Sequence, residues 1–149
     1  MKTKRYTSIL ALLVLFLTVC ILTGCGKTQN KTEVYQQRIS EATEALGSHQ
    51  YSKAIDLLTE GAENGHNKSQ GLLGISYMMS DQETEGVKWI RKAAEGGDPL
   101  SFYNLAVCYE YGFGVEKNSK EAKFWVKKAE NAGVSKPNAL GWIQNTFKY

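Results

Sequence analysis

Few side chains in this 149-residue sequence are placed to do chemistry, and the cysteines come first. Cys20, Cys25 and Cys108 are its thiols; a thiol can be alkylated, ligate a metal or, once ionised, act as a nucleophile. Cys25 closes "LTGC", Leu22 to Cys25, where an apolar run gives way to the polar "GKTQNKT" of Gly26 to Thr32. His49 and His66 have no second histidine, cysteine or carboxylate at i+3 or i+4, so neither offers a metal-binding face. Both fall in expected inter-helix turns and read as surface histidines. Gly112-Phe113-Gly114 invites a phosphate-loop reading, but a dinucleotide fingerprint needs a glycine where Lys117 stands, and a preceding strand. No serine, histidine and aspartate form a recognisable catalytic motif. The sequence therefore assigns no catalytic residue, no metal and no cofactor, and the chain does not read as an enzyme.

The segment that carries Cys25 begins with Lys2, Lys4 and Arg5 and continues with 21 uncharged residues, Tyr6 to Gly26. A basic start, an apolar run and small residues make the layout of a secretory signal peptide. The rival is an uncleaved membrane helix, since a stretch of this length at a 1.5 Å rise reaches across a bilayer's hydrocarbon core. Leu22-Thr23-Gly24-Cys25 resembles the lipobox of bacterial lipoproteins: an aliphatic residue, two small residues and cysteine. The resemblance implies cleavage between Gly24 and Cys25, with a diacylglyceryl group on the Cys25 sulfur and an acyl chain on its nitrogen. Cys20 lacks the small residues before it and would leave with the leader.

Charge follows the same division. Of 18 Lys+Arg and 15 Asp+Glu, residues 1–24 hold three and none, which leaves 15 of each in the remainder. A neutral body gives no footprint for nucleic acid or for an anionic lipid surface. Membrane attachment is expected through acyl chains, at about 0.8 kcal/mol per buried methylene. Counted from Cys25, the tether to Thr32 spans at most about 26 Å, so the folded part is held close to the membrane. In enteric-type bacteria an aspartate after the lipidated cysteine favours the inner membrane. Gly26 stands there, which implies the outer membrane, facing the periplasm, in a cell that has one, and otherwise the outer face of the plasma membrane. With Cys25 acylated, Cys108 has no thiol to pair with and reads as a small buried hydrophobe.

These features need a folded body, and the body repeats. "SKAIDLLTEGAENG" (52–65), "TEGVKWIRKAAEGG" (84–97) and "KEAKFWVKKAENAG" (120–133) align at offsets of 32 and 36 residues. Small residues coincide at Ala54, Gly86 and Ala122, and bulky ones at Leu57, Trp89 and Trp125. Glycines 65, 97 and 133 close each segment. The preceding stretches also align, "SQGLLGISY" (69–77) over "SFYNLAVCY" (101–109). Upstream, Tyr35, Ile39, Ala42 and Leu46 form one stripe of an amphipathic helix, with Gly47 suited to its C-terminal cap and Ser52 to the next N-cap. The unit is helix–turn–helix. Antiparallel helices approach closely where a small residue on one meets a large one on the other, and each unit leaves an apolar face for the next to cover.

Ser101–Gly133, with Leu105, Tyr109, Gly112, Gly114, Val115, Glu121-Ala122, Trp125 and Lys128-Ala129 in place, resembles a Sel-one-like repeat, a relative of the tetratricopeptide repeat. Ser101 and Ala106 are mild departures from its alanine and glycine. The unit before keeps "LLGISY" and "GVKWIRKAAEGG" but lacks the G-x-G-V loop. The resemblance implies an all-α, alpha-alpha solenoid of about seven helices following the leader. The expected divisions are a signal peptide (1–24), a lipidated cysteine with its tether (25–32) and a repeat domain (33–149). Within the last lie hairpins at about 33–65, 66–97 and 98–133 and a capping helix at 136–147.

In such solenoids the first helix of each unit lines a concave groove where partners bind. On the helix starting near Pro99, Leu100, Tyr103, Val107 and Glu110 form a largely apolar stripe with Tyr111 at its rim, matched one unit earlier by Ile75 and Met78. Tyrosine and methionine on an exposed groove suit protein recognition, although neighbouring helices could cover part of this face. The resemblance implies a membrane-tethered adaptor for a protein or peptide. The alternative is an immunity protein that neutralises a secreted antibacterial toxin, such as a lipase, in the periplasm.

Overall fold

The computed structural model describes residues 30–134, which form six α-helices and no strand. The lipobox with Gly24 and Cys25, most of the tether and the expected capping helix 136–147 lie outside the described residues. The helices are α1 (Lys31–Gly47), α2 (Tyr51–Glu63), α3 (Asn67–Met79), α4 (Glu83–Glu95), α5 (Pro99–Tyr111) and α6 (Ser119–Asn131). α3 with α4 and α5 with α6 form hairpins, and α1 packs on α2 and α3 through a shared buried cluster.

Local chemistry sets the helix starts. The Asp98 carboxylate accepts the Ser101 N–H at 2.9 Å and its hydroxyl at 2.5 Å, with Pro99 in the first turn, where its missing N–H costs nothing. Asn118 caps α6 by accepting the N–H groups of Lys120 and Glu121. His66 caps α3 through Nδ1, which accepts the Ser69 N–H at 3.3 Å. The start of α2 differs from the sequence reading. Tyr51 is its first residue and Ser52 does not cap it, because the Gln50 N–H is already turned back onto the Ala45 carbonyl at 2.8 Å. The left-handed residue of that link is His49, at φ 57°, rather than Gly47.

Packing follows the small-against-large pattern, closest where α3 crosses α4. A Cβ on Gly74 would stand 2.6 Å from Ile90 Cγ1 and 2.7 Å from the Gly86 carbonyl; one on Gly86 would stand 2.6 Å from Met78 Cγ. Two glycines thus bring the backbones together, and no larger pair fits. Ala42, Ala45, Ala54, Leu58, Ala62 and Leu73 form one buried cluster across α1, α2 and α3. Met78, Val87, Ile90, Leu105, Tyr109, Ala122 and Trp125 belong to another that joins α3 to α6. Ala122 and Trp125 therefore face their neighbours in the core.

Candidate functional site

α5 is buried on most of its circumference, with eight of its 13 residues withdrawn from solvent from Ser101 to Tyr109. Its two ends are not: Leu100 is 52 % and Tyr111 56 % exposed. Eleven residues are close to three full turns, so these two side chains leave the helix in nearly the same direction, about 16 Å apart along its axis. The residues between them on that line, Asn104 and Val107, are buried, so the two groups are exposed at the ends of the helix; exposed large apolar groups suit the docking of another protein. Tyr111 is stiffened by stacking on Phe113 at 5.7 Å between ring centres.

The seven expected groove residues do not share one surface. Tyr103 and Glu110 sit roughly 60–80° around α5 from the Leu100–Tyr111 line, on the flank that α5 and α6 turn away from α4. That flank holds a cavity of about 560 Å³, lined by Tyr103, Val107, Glu110 and Tyr111 from α5 and by Lys123 and Val126, among others, from α6. One unit earlier the same flank of α3 is closed. Met78, which matches Glu110, is fully buried and lies against Gly86 of α4. A Cβ on Gly71, which matches Tyr103, would meet Ser101 Oγ of α5 at 2.6 Å. Ile75 stays half-buried. The stripe read from the sequence is therefore exposed at Leu100, Glu110 and Tyr111 and buried at Tyr103, Val107 and Met78. A seven-residue spacing cannot separate Leu100 from Val107, because the two lie only about 20° apart around the helix.

The remaining candidates have structural surroundings. Burial, with Glu83 nearby, pushes the Cys108 thiol up to about 12. Burial and the Glu130 charge raise the Tyr103 phenol above its ordinary value. Gly112 and Gly114 both have positive φ, 84° and 63°. The Gly114 N–H donates to Glu83 Oε2 at 3.0 Å, and a Cβ at this position would run into the Glu83 carbonyl. The G-x-G-V loop is thus a latch onto the start of α4, and Val115 packs at the core's edge. His49 bonds the Tyr51 hydroxyl at 2.7 Å. Trp125 is in the core, whereas Trp89 is only half-buried, with the Lys92 ammonium 3.8 Å from its ring centre. Among the described residues no group of three or more His, Cys, Asp or Glu side chains is arranged to hold a metal. No described helix is long and apolar enough to cross a membrane.

Sel1 repeats match residues 46–66, 69–98 and 101–134, more than half of the chain; the last two stretches coincide with α3–α4 and α5–α6, and the first covers α2 and the link before it. The chain belongs to the Sel1 repeat family. A Sel1 repeat protein from Oxalobacter formigenes shares the fold, with a TM-score of 0.54 and 22 % identity over 72 % of this chain and 54 % of that one. DAP3-binding cell death enhancer 1 of Rattus norvegicus is 32 % identical over 80 residues, 52 % of this chain and 16 % of the rat protein. The chitin synthase regulator SKT5 of Saccharomyces cerevisiae is 31 % identical over 74 residues, 50 % of this chain and 10 % of the yeast protein. The chain thus spans less than a fifth of these curated relatives. Sel1 repeats are protein–protein interaction modules on a scaffold that is generally non-catalytic.

Proposed function

We propose that this chain is a lipid-anchored envelope protein that captures a protein or peptide partner on the open face of its Sel1 repeats. The observation that carries the reading is the pair of exposed side chains Leu100 and Tyr111 at the two ends of a helix whose middle, Tyr103 to Tyr109, is buried. The rat relative's printed name includes binding to a protein, which agrees with a protein partner here. The anchor is Cys25, lipidated after cleavage behind Gly24; the support is the "LTGC" sequence after a basic and apolar leader. A short tether would keep the binding face near the membrane, on the periplasmic side of the outer membrane or on the outer face of the plasma membrane.

Crosslinking in living cells followed by purification through the chain tests the partner reading. Recovery of one protein with the wild type, lost with Leu100→Asp/Tyr111→Asp at unchanged helical content, is the expected result. Equal recovery with both chains removes this face from the proposal. If the captured protein is a secreted toxin whose activity the chain abolishes, the immunity role replaces the adaptor role on the same surface.

A further inference from the structure

We infer that the outer face of α6 lies against a bilayer carrying anionic headgroups, with Lys120, Lys123 and Lys127 on the headgroups and Phe124 pressed between them. The inference rests on the anchor reading, which keeps the body beside a membrane, and adds which face the body turns toward it. The zero net charge of the body hides a segregation. Residues 30–116, which include α1 to α5, carry seven Lys+Arg against 13 Asp+Glu, whereas residues 117–134 carry five against two. A body charged in this way is oriented by the field of a negative surface, with its last described helix inward.

The face itself carries two kinds of group. α6 buries Ala122, Trp125 and Ala129. At about 100° per residue, the direction opposite to these three runs through Lys120, Phe124 and Lys127. All three are exposed, as are Lys123 and Lys128 on either side. Lys120, Lys123 and Lys127 make no ion pair among the described residues. Phe124 is 51 % exposed, its ring nearly perpendicular to that of Trp125 and its centre 5.1 Å from the Lys128 ammonium. The repeat does not ask for an aromatic here, since the matching residues are Lys88 in α4 and Asp56 in α2. A soluble polyanion satisfies the lysines and leaves the ring in water. A bilayer interface takes both, because the ammonium groups meet headgroups while the ring sinks toward the acyl chains. Tight binding is not required of this face, since a tether of at most about 26 Å already supplies the proximity.

Lysine acetylation of the full chain, produced in bacterial cells and reconstituted with vesicles, tests the inference. Vesicles of phosphatidylcholine alone are compared with vesicles that also contain phosphatidylglycerol, and the rates are read by mass spectrometry. Lys120, Lys123 and Lys127 are expected to react at least about fivefold more slowly on the anionic vesicles, the factor that the attraction of about one lysine provides. Lys53 on α2 and Lys68 on α3, both exposed, react alike on the two. About 1 M salt, which shortens the screening length to about 3 Å, removes the difference. Phe124→Ser reduces the protection at unchanged helical content. Equal rates on the two kinds of vesicle overturn the inference, and so does a Phe124→Ser chain as protected as the wild type. Protection found only inside cells, with equal rates on both vesicles, gives the face to an acidic protein and overturns it as well. Flotation with the neutral vesicles reads the anchor and lysine protection reads the face, so either can fail alone.

Discussion

Cys108 carries a reactive group in a place where it cannot react. Full burial favours the neutral thiol, and the carboxylate of Glu83 adds to that preference. A maleimide is therefore expected to leave Cys108 unlabelled in the folded chain and to label it on unfolding; fast labelling of the folded protein contradicts this. The pH dependence has a definite sign. The folded value of about 12 lies above the ordinary 9.0, so the contribution to stability is fully present below about 9 and is lost as pH rises toward 12. Between those values the wild type should lose thermal stability more steeply than Cys108→Ala, and equal slopes contradict the assignment. Its place in the core was legible in the sequence, because a lone cysteine between Val107 and Tyr109 sits at a helical packing position. The role of Glu83 was not legible, since Gly114 lies 31 residues away and only the folded loop brings its N–H to that carboxylate.

At the scale of elements, the α3–α4 crossing is the tightest point of the stack. Gly74→Val would put branched carbons into Ile90 and the Gly86 carbonyl, and overpacking of this kind costs about 1–3 kcal/mol or more. Its thermal midpoint should fall well below that of Gly47→Val, since a Cβ on Gly47 meets nothing within 4 Å. Leu58→Ala, inside the cluster shared by α1, α2 and α3, is expected to cost about 2–5 kcal/mol in denaturant unfolding. The helices and their order were readable because three aligned segments keep small and large residues in one register. Their ends were less so. Ser52 has the right chemistry for a cap, yet α2 starts a residue before it, since backbone bonds in the Ser48–Gln50 link fix the chain's exit from α1.

For the whole molecule, the reading joins an anchor, a short tether and a stack of hairpins that presents one open face. Cys25→Ser is expected to leave an unlipidated, uncleaved precursor, seen by mass spectrometry and by failure to incorporate labelled palmitate; a normally processed acylated product rules out the lipobox. Partner capture should be reduced at least tenfold by Leu100→Asp/Tyr111→Asp, a loss of about 1.4 kcal/mol or more in binding. The amino-acid sequence by itself determined the class of fold, because the period of 32 to 36 residues and the alternation of small and bulky side chains are properties of the chain read in order. Only the tertiary structure decided which part of the Leu100–Tyr111 stripe faces outward. Leu100 and Val107, about 20° apart on one helix, are equivalent to a periodic pattern, yet the fold buries Val107 and leaves Leu100 half in water.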